Sequence, residues 1–539
     1  MVNKKKLYSA TSIIIGTAML AAGCVSEPQG EKPSAPDKSQ AQSVASYPLK
    51  AGSTLTSWQT LNNNLSSVNI QNLVDTSFGK ALEKQTGVKV TYTHPPTGQI
   101  AEKFNLMVAS NELPDVVEYT WTSYPGGPEK AIKDKVILPL NDIIDHYAPN
   151  LKKTIEADPE LSRQLKTDSG QYYVFPMLRG APSQLVFQGP VIRKDWLDEL
   201  GLPVPTTIDE WYVTLKAFKE KKNAAAPFTA RYAGGRWDVA DAFIGAFKTS
   251  NDFYLDDQGK VHYGPYDSQF KDALTLLRKW YQEGLIDKDF AIPDAEGKIL
   301  DNKITSGISG ATVGLLGGGI GRWLDTMKQK DPKYEVVGAP YPVLNKGEKA
   351  FIGQRDFKYN PGGSAAISAS SKNVETAARW LDYAYSEEGK MLFNYGIEGE
   401  SYKMENGVPK FTDLILKNEK FNVQQILSQY TKQSGPYLTD KNRNTNTYKQ
   451  QDNAAQVWSD TEAAKHSLPK FISPTPEESA QLAKIATDLS SYKEEMFVKF
   501  IMGKESLDNF EKYQKQLNAI GVEKVISIYQ GAYDRYIKR

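Results

Sequence analysis

The chain has 539 residues, with 65 lysines and arginines against 64 aspartates and glutamates and a net charge of +1 at pH 7. That length exceeds what one hydrophobic core serves, so two or more domains are expected. The balanced charge excludes the basic excess that drives nucleic-acid binding. The single cysteine, Cys24, excludes internal disulfides and cysteine metal sites.

The first element is a leader. Lys4, Lys5 and Lys6 precede an apolar stretch through Ile13-Ile14-Ile15 to Met19-Leu20, followed by Ala21-Ala22-Gly23-Cys24. A charged start, an apolar run of about 10 residues and small residues before a cleavage point make a secretory signal. The run is too short to span a bilayer, which takes about 20 apolar residues. A cysteine directly after small residues resembles the bacterial lipobox, with Ala21 standing where leucine is favoured. Residues 1–23 are therefore expected to be a signal peptide. Residues 24–46 are expected to be a lipidated N-terminus and flexible tether, rich in Pro, Ser, Gln, Lys and Glu and without an aromatic. No later segment offers 18 uninterrupted apolar residues.

Strands then alternate with helices, which argues for α/β layers. Leu55 to Gln59 reads as a strand ending in the polar loop Asn62-Asn63-Asn64. Leu73 to Gln85 reads as a helix closed by Gly87, Val88 to Tyr92 as a strand, and Ile100 to Ala109 as a helix. Pro114 to Val117 opens the next strand, and Asn141 to Tyr147 is a short amphipathic helix. Gln184 to Gln188 reads as a strand and Ile192 to Leu200 as a helix ending at Gly201. A helix from about Ile208 to Lys221 starts behind Thr207, three residues before Glu210, an N-capping arrangement. The C-terminal part reads as helices over 482–497, 507–517 and 522–536.

Four stretches carry a resemblance to a known family: Gln99 to Val117, Ile137 to Pro149, Arg193 to Glu210, and Ala377 to Gly389 continued by Asn394 to Gly399. In this order behind a lipobox, the chain resembles the family 1 extracellular solute-binding proteins of bacterial ABC importers. Within that family it is similar to the sugar-binding lipoproteins of Gram-positive bacteria, and more distantly to maltose-binding protein. The resemblance implies an α/β, two-lobed periplasmic-binding-protein fold, type II-like, each lobe a doubly wound sheet with flanking helices. Lobe 1 would hold 47–182 and about 362–430. Lobe 2 would hold 183–361 and about 431–539, with the C-terminal helices packed mainly on it. The crossings would fall near Gly180–Leu185, near Asn360–Ala366 and within 400–440. Many relatives carry a calcium loop after the helix at Trp211. Here Glu220 to Pro227 lacks the run of oxygen ligands that calcium needs, so no metal and no cofactor are expected. Asp256 to Lys260 reads as a turn.

A sugar site needs flat aromatic platforms and fixed polar groups at their edge, and open α/β sheets supply these from loops at strand C-termini. That rule nominates Trp58, Gln59, Trp121, Tyr124, Arg179, Gln184, Trp237, Arg322, Trp323, Tyr395 and Tyr402. Arg179, Arg236, Arg322 and Arg355 raise the further option of a carboxylate-bearing, uronic-acid-containing oligosaccharide. The glycine run Gly314 to Gly321 matches neither a P-loop nor GxGxxG, and reads instead as a place of close backbone approach.

The chain carries no HExxH and no GxSxG, and its four histidines show no metal spacing. The expectation is a non-catalytic, monomeric receptor anchored by lipid on the extracellular face of the cell membrane. It would capture an oligosaccharide between its lobes and deliver it to the permease subunits of an ABC importer. An anchored carbohydrate-active enzyme and a peptide-binding receptor are the rival readings.

Overall fold

The computed structural model describes residues 46–539 except 234–235, 295–296 and 444–445, and omits the side chains of 233 and 236–238. The described residues belong to one compact unit, Val44–Arg539. The expected signal peptide, Cys24 and nearly all of the expected tether lie outside them. Among them no helix is long and apolar enough to cross a membrane.

Alternation of exposed and buried residues makes the first strands. Thr54–Trp58 (β1) and Lys89–Thr93 (β2) each bury their second and fourth residues and pair in parallel. Between them, Leu73–Asp75 forms one 3₁₀ turn and Ser77–Thr86 a helix. Thr76 caps that helix, and Gly87 ends it with φ 71°. Val116–Glu118 (β3) pairs in parallel with β1. Phe175–Leu178 (β4) completes the first pass through this sheet.

The chain then crosses to a second sheet built from Gln188–Arg193 (β5), Ala311–Leu315 (β6) and Val336–Gly338 (β7) in the order β6-β5-β7, all neighbours antiparallel. It returns as Tyr359–Ile367 (β8), antiparallel to both β3 and β4. Tyr437–Leu438 (β9) pairs in parallel with β4, giving the first sheet the order β9-β4-β8-β3-β1-β2. Residues around 431–438, expected to open the second lobe, thus add an edge strand to the first sheet instead. The strand expected at 184–188 is displaced as well. Pro182–Leu185 is a 3₁₀ turn, and the strand runs 188–193 into the helix Lys194–Leu200.

Each sheet has its own core. Phe78, Leu82, Phe104, Leu381 and Phe393 pack on the first. Trp211, Phe218, Leu277, Trp280, Phe497 and Phe500 pack on the second. Ile320, Trp323, Tyr341 and Trp458 form a further cluster with Val191 and Val336 from β5 and β7. Thr207 and Glu210 form the expected capping box at the start of Ile208–Lys221.

Two glutamines stitch the crossing segments together. Gln184 accepts from the Gly180 amide at 2.8 Å and donates to the Asp440 carbonyl at 2.7 Å. Gln354 accepts from the Phe187 amide at 2.8 Å.

The C-terminal helices do not serve the second core alone. The helix Val522–Tyr536 buries Val522 and Val525 there, while Tyr536 lies in the first core. The Tyr536 hydroxyl donates to Glu160 at 2.6 Å. Arg535 and Arg539 both grip Asp168 at 2.8 Å, and Arg539 also donates to the Lys166 carbonyl at 2.6 Å.

Candidate functional site

The parallel strands β1, β2 and β3 end on the same edge of the first sheet, and the loops that leave this edge shape a cavity. It has a volume of 380 Å³ and is lined by Gln59 to Asn63 after β1, Pro95 and Thr97 after β2, Glu118 at the end of β3, and Ser428 and Thr431 to Ser434 from a distant segment. Leu61, Leu65, Leu73 and Ile100 supply its apolar wall. Hydroxyls and amides dominate the rest. A concave surface with an apolar wall and convergent polar groups is the general form of a small-ligand site.

Its floor is a buried polar cluster. Lys432 Nζ donates to Gln59 Oε1 at 2.9 Å and to Glu118 Oε2 at 3.2 Å. Glu118 and Lys432 are each 8 % exposed. Burial pushes the Glu118 carboxyl up from its ordinary range, and the Lys432 ammonium pulls it back. Beside the cluster, the Gln59 carbonyl meets His94 Nδ1 at 2.9 Å. Burial holds His94 below its ordinary value, with that carbonyl opposing the shift. A buried ion pair stabilises little by itself, because desolvation offsets the attraction.

The second sheet presents two smaller cavities that share Gln188 and Val313. One, of 120 Å³, includes Asp241, Asn251, Tyr341 and Gln354. The other, of 160 Å³, is lined by Arg231, Gly297, Gly314, Gly318, Gly319, Arg322 and Trp323. The glycine run forms a turn over Leu316–Gly321 that leads into the helix Arg322–Met327. A Cβ at Gly314 would lie 2.8 Å from the Trp323 ring, so close backbone approach is why glycine stands there.

The nominated residues divide among several places. Gln59 lies on the floor of the 380 Å³ cavity, and Arg322 and Trp323 on the 160 Å³ one. Arg322 is committed to Asp301 at 2.8 Å, and the Trp323 indole donates to the same carboxylate at 2.6 Å.

Trp121 and Tyr124 are corrected to core residues, and Trp58, 4 % exposed, packs in the same core while also lining a 630 Å³ cavity with Pro95, Pro96 and Lys103. Trp121 is 0 % exposed and donates from Nε1 to the Val117 carbonyl. The turn Trp121–Ser123 tucks its ring edge-on against Phe104 and Tyr119. Trp58 packs on the same two rings, and the Tyr124 hydroxyl donates to Asp134 at 3.0 Å.

Arg179 pairs with Asp356 at 2.6 Å, and Gln184 links two crossings, so neither lines a cavity described above. Tyr395 and Tyr402 are buried in a satellite cluster with Phe411, Ile415, Ile426 and Leu427. That packing excludes them as exposed platforms. Trp237 lies in the two-residue strand Arg236–Trp237, but its side chain and that of Arg236 fall outside the described residues. Arg355 is half-buried and forms no ion pair among the described residues, and burial lowers its pKa.

Two floor residues escaped the sequence reading. Glu118 ends a strand, so the strand-end rule could have found it. Lys432 had no such signal, because the strand that follows it has only two residues.

The family model for bacterial extracellular solute-binding proteins matches residues 69–391. The chain is 26 % identical over 484 residues to the fructooligosaccharide ABC transporter substrate-binding protein FusA of Streptococcus pneumoniae serotype 4, covering 84 % of this chain and 86 % of that protein. It is 28 % identical over 355 residues to lipoprotein LipO of Bacillus subtilis, covering 63 % and 66 %. Its fold is similar to the crystal structure of the alginate-binding protein AlgQ2 without calcium ion, at a TM-score of 0.70 and 26 % identity, covering 90 % of this chain and 99 % of that one. With a two-lobed α/β fold and a family match across more than half its length, the chain belongs to the bacterial extracellular solute-binding proteins.

Proposed function

We propose that this protein captures an oligosaccharide and hands it to an ABC importer, without transforming it. The observation that carries this reading is the 380 Å³ cavity at the C-terminal edge of β1, β2 and β3, walled by amides, hydroxyls and a few apolar side chains. Such a lining suits a ligand that offers ring C–H faces and many hydroxyls. FusA and AlgQ2, named for fructooligosaccharide and alginate, support the sugar class from outside the chain.

The ligand would favour the closed arrangement by touching both lobes, the 380 Å³ cavity on one side and the Gln188 surface on the other. We place the division between lobes at the segments stitched by Gln184 and Gln354. The body is a monomer in this reading, tethered to the outer face of the membrane through acyl chains on Cys24. A uronic-acid-containing ligand is the rival to a neutral one within this reading; of the nominated arginines Arg355 keeps an unpaired charge among the described residues, and it does not line the 380 Å³ cavity.

The test is isothermal titration of the chain from residue 44 onward against neutral oligosaccharides, oligouronates and short peptides, with product analysis of each mixture. Saturable binding of an intact sugar supports the proposal. Cleavage of the sugar makes the protein an enzyme, and binding of peptides alone overturns the sugar assignment.

A further inference from the structure

We propose that Glu118 and Lys432 together form a donor–acceptor floor for adjacent hydroxyls of a neutral sugar unit, and that this floor rejects a uronate carboxylate. The proposal rests on the oligosaccharide reading above and names the class of sugar that the 380 Å³ cavity takes.

Three observations carry it. The first is capacity. Lys432 Nζ has three protons, and its hydrogen bonds go to Gln59 Oε1 and Glu118 Oε2. Glu118 Oε1 has no hydrogen-bond partner among the described residues. One Nζ proton and one carboxylate oxygen therefore remain without a hydrogen-bond partner among the described residues, on two side chains that both line the cavity. A sugar hydroxyl both donates and accepts, so one hydroxyl can accept from Nζ while its neighbour donates to Oε1. Hydrogen bonds with an ionised partner are roughly twice as strong as neutral ones.

The second is charge. Glu118 and Lys432 are the only ionisable side chains that line the cavity among the described residues, and they lie 3.2 Å apart. Their charges cancel. A carboxylate brought onto this floor would meet an ammonium already neutralised and a carboxylate beside it, and would give up its hydration without a free counter-charge.

The third is that none of the nominated arginines lines this cavity among the described residues, Arg355 included. Arg179 is held by Asp356 and Arg322 by Asp301, and neither lines this cavity. The remaining polar lining, including Asn62, Asn63, Thr97 and Gln433, is uncharged.

The experiment is calorimetric titration of the chain from residue 44 onward with 1-kestose and raffinose as neutral probes and trigalacturonate as the acidic one. The parent should bind a neutral probe at least about 100-fold more tightly than trigalacturonate. Glu118→Gln keeps the shape, removes the negative charge and leaves Lys432 uncompensated. It should weaken the neutral probe and strengthen trigalacturonate, lowering that ratio by about 10-fold or more.

A parent that prefers trigalacturonate overturns the proposal, and so does a Glu118→Gln ratio equal to the parent's. A parent that binds no probe sugar removes the oligosaccharide reading itself. That result is distinct from sugar binding with an unmoved ratio, which removes only the floor. Circular dichroism reports whether the variant folds. If it does not, the parent's own selectivity decides, and a neutral preference below about 10-fold overturns the proposal.

Discussion

Replacing Trp121 with alanine separates two roles that a tryptophan after a strand can play. Its ring is 0 % exposed, with Phe104 at 5.5 Å and Tyr119 at 5.9 Å between ring centres, both edge-on. Its indole N–H also has a buried partner, the Val117 carbonyl. Truncating a buried tryptophan costs about 3–5 kcal/mol, and edge-on aromatic contacts place this site in the upper part of that range. Because both cores share the helix Val522–Tyr536 and melt together, a body of roughly 490 residues loses about 1 °C of melting temperature per kcal/mol, so a fall of about 4–5 °C is expected. Thermal melting followed by circular dichroism measures this, with ligand titration at a temperature where both proteins are folded. Ligand affinity should stay near the parent's. A melting temperature within about 2 °C of the parent, together with a large loss of affinity, would refute the core assignment.

Further substitutions test other parts of the account. Gly189→Ala would bring a Cβ to 2.6 Å from three atoms of the Trp458 ring, and should destabilise by about 1–3 kcal/mol in urea unfolding; an unchanged midpoint speaks against the packing described. Burial pushes the Asp382 carboxyl up to about 6, against hydrogen bonds from the Leu151 and Asn150 amides. A carboxyl ordinarily near 3.9 but held higher when folded favours the folded state below about pH 4, and this contribution fades as pH rises through 6. Asp382→Asn should therefore gain on the parent by up to about 3 kcal/mol between pH 4 and pH 7, read as the difference in unfolding free energy; a pH-independent difference counts against the shift. Cys24→Ala should abolish labelling by a fatty-acid probe and release the protein from the membrane fraction, and persistent labelling would remove Cys24 as the acylated residue. Tyr536→Ala should speed amide exchange over 533–539, and unchanged exchange would mean that the helix end is held without that ring.

Local patterns carried much of the fold. The helices at 141–147 and 522–536 were readable to the residue, because their apolar spacing and flanking residues agree. The capping box at Thr207 and Glu210 was readable because a threonine three positions before a glutamate specifies it. Pairing was not readable. Tyr437–Leu438 is too short for any periodicity, and only its partner β4 makes it a strand.

The site shows the same division. Gln59 was legible as a polar residue just past a strand. Trp121 satisfied the same rule, yet its turn directs the ring inward, and no one-dimensional pattern records that direction. Lys432 owes its role to Glu118, 314 positions earlier in the chain, and such a juxtaposition exists only after folding.

The helix Val522–Tyr536 has one end seated in each core, and this has a thermodynamic consequence. Unravelling either core releases the same rigid rod, which then exposes its apolar face in the other. The cost of opening one half is thereby shared with the other half, and partly unfolded species with a single intact lobe are disfavoured. Two separately built cores then melt as one cooperative unit, so a weakness introduced in either half is felt by the entire receptor.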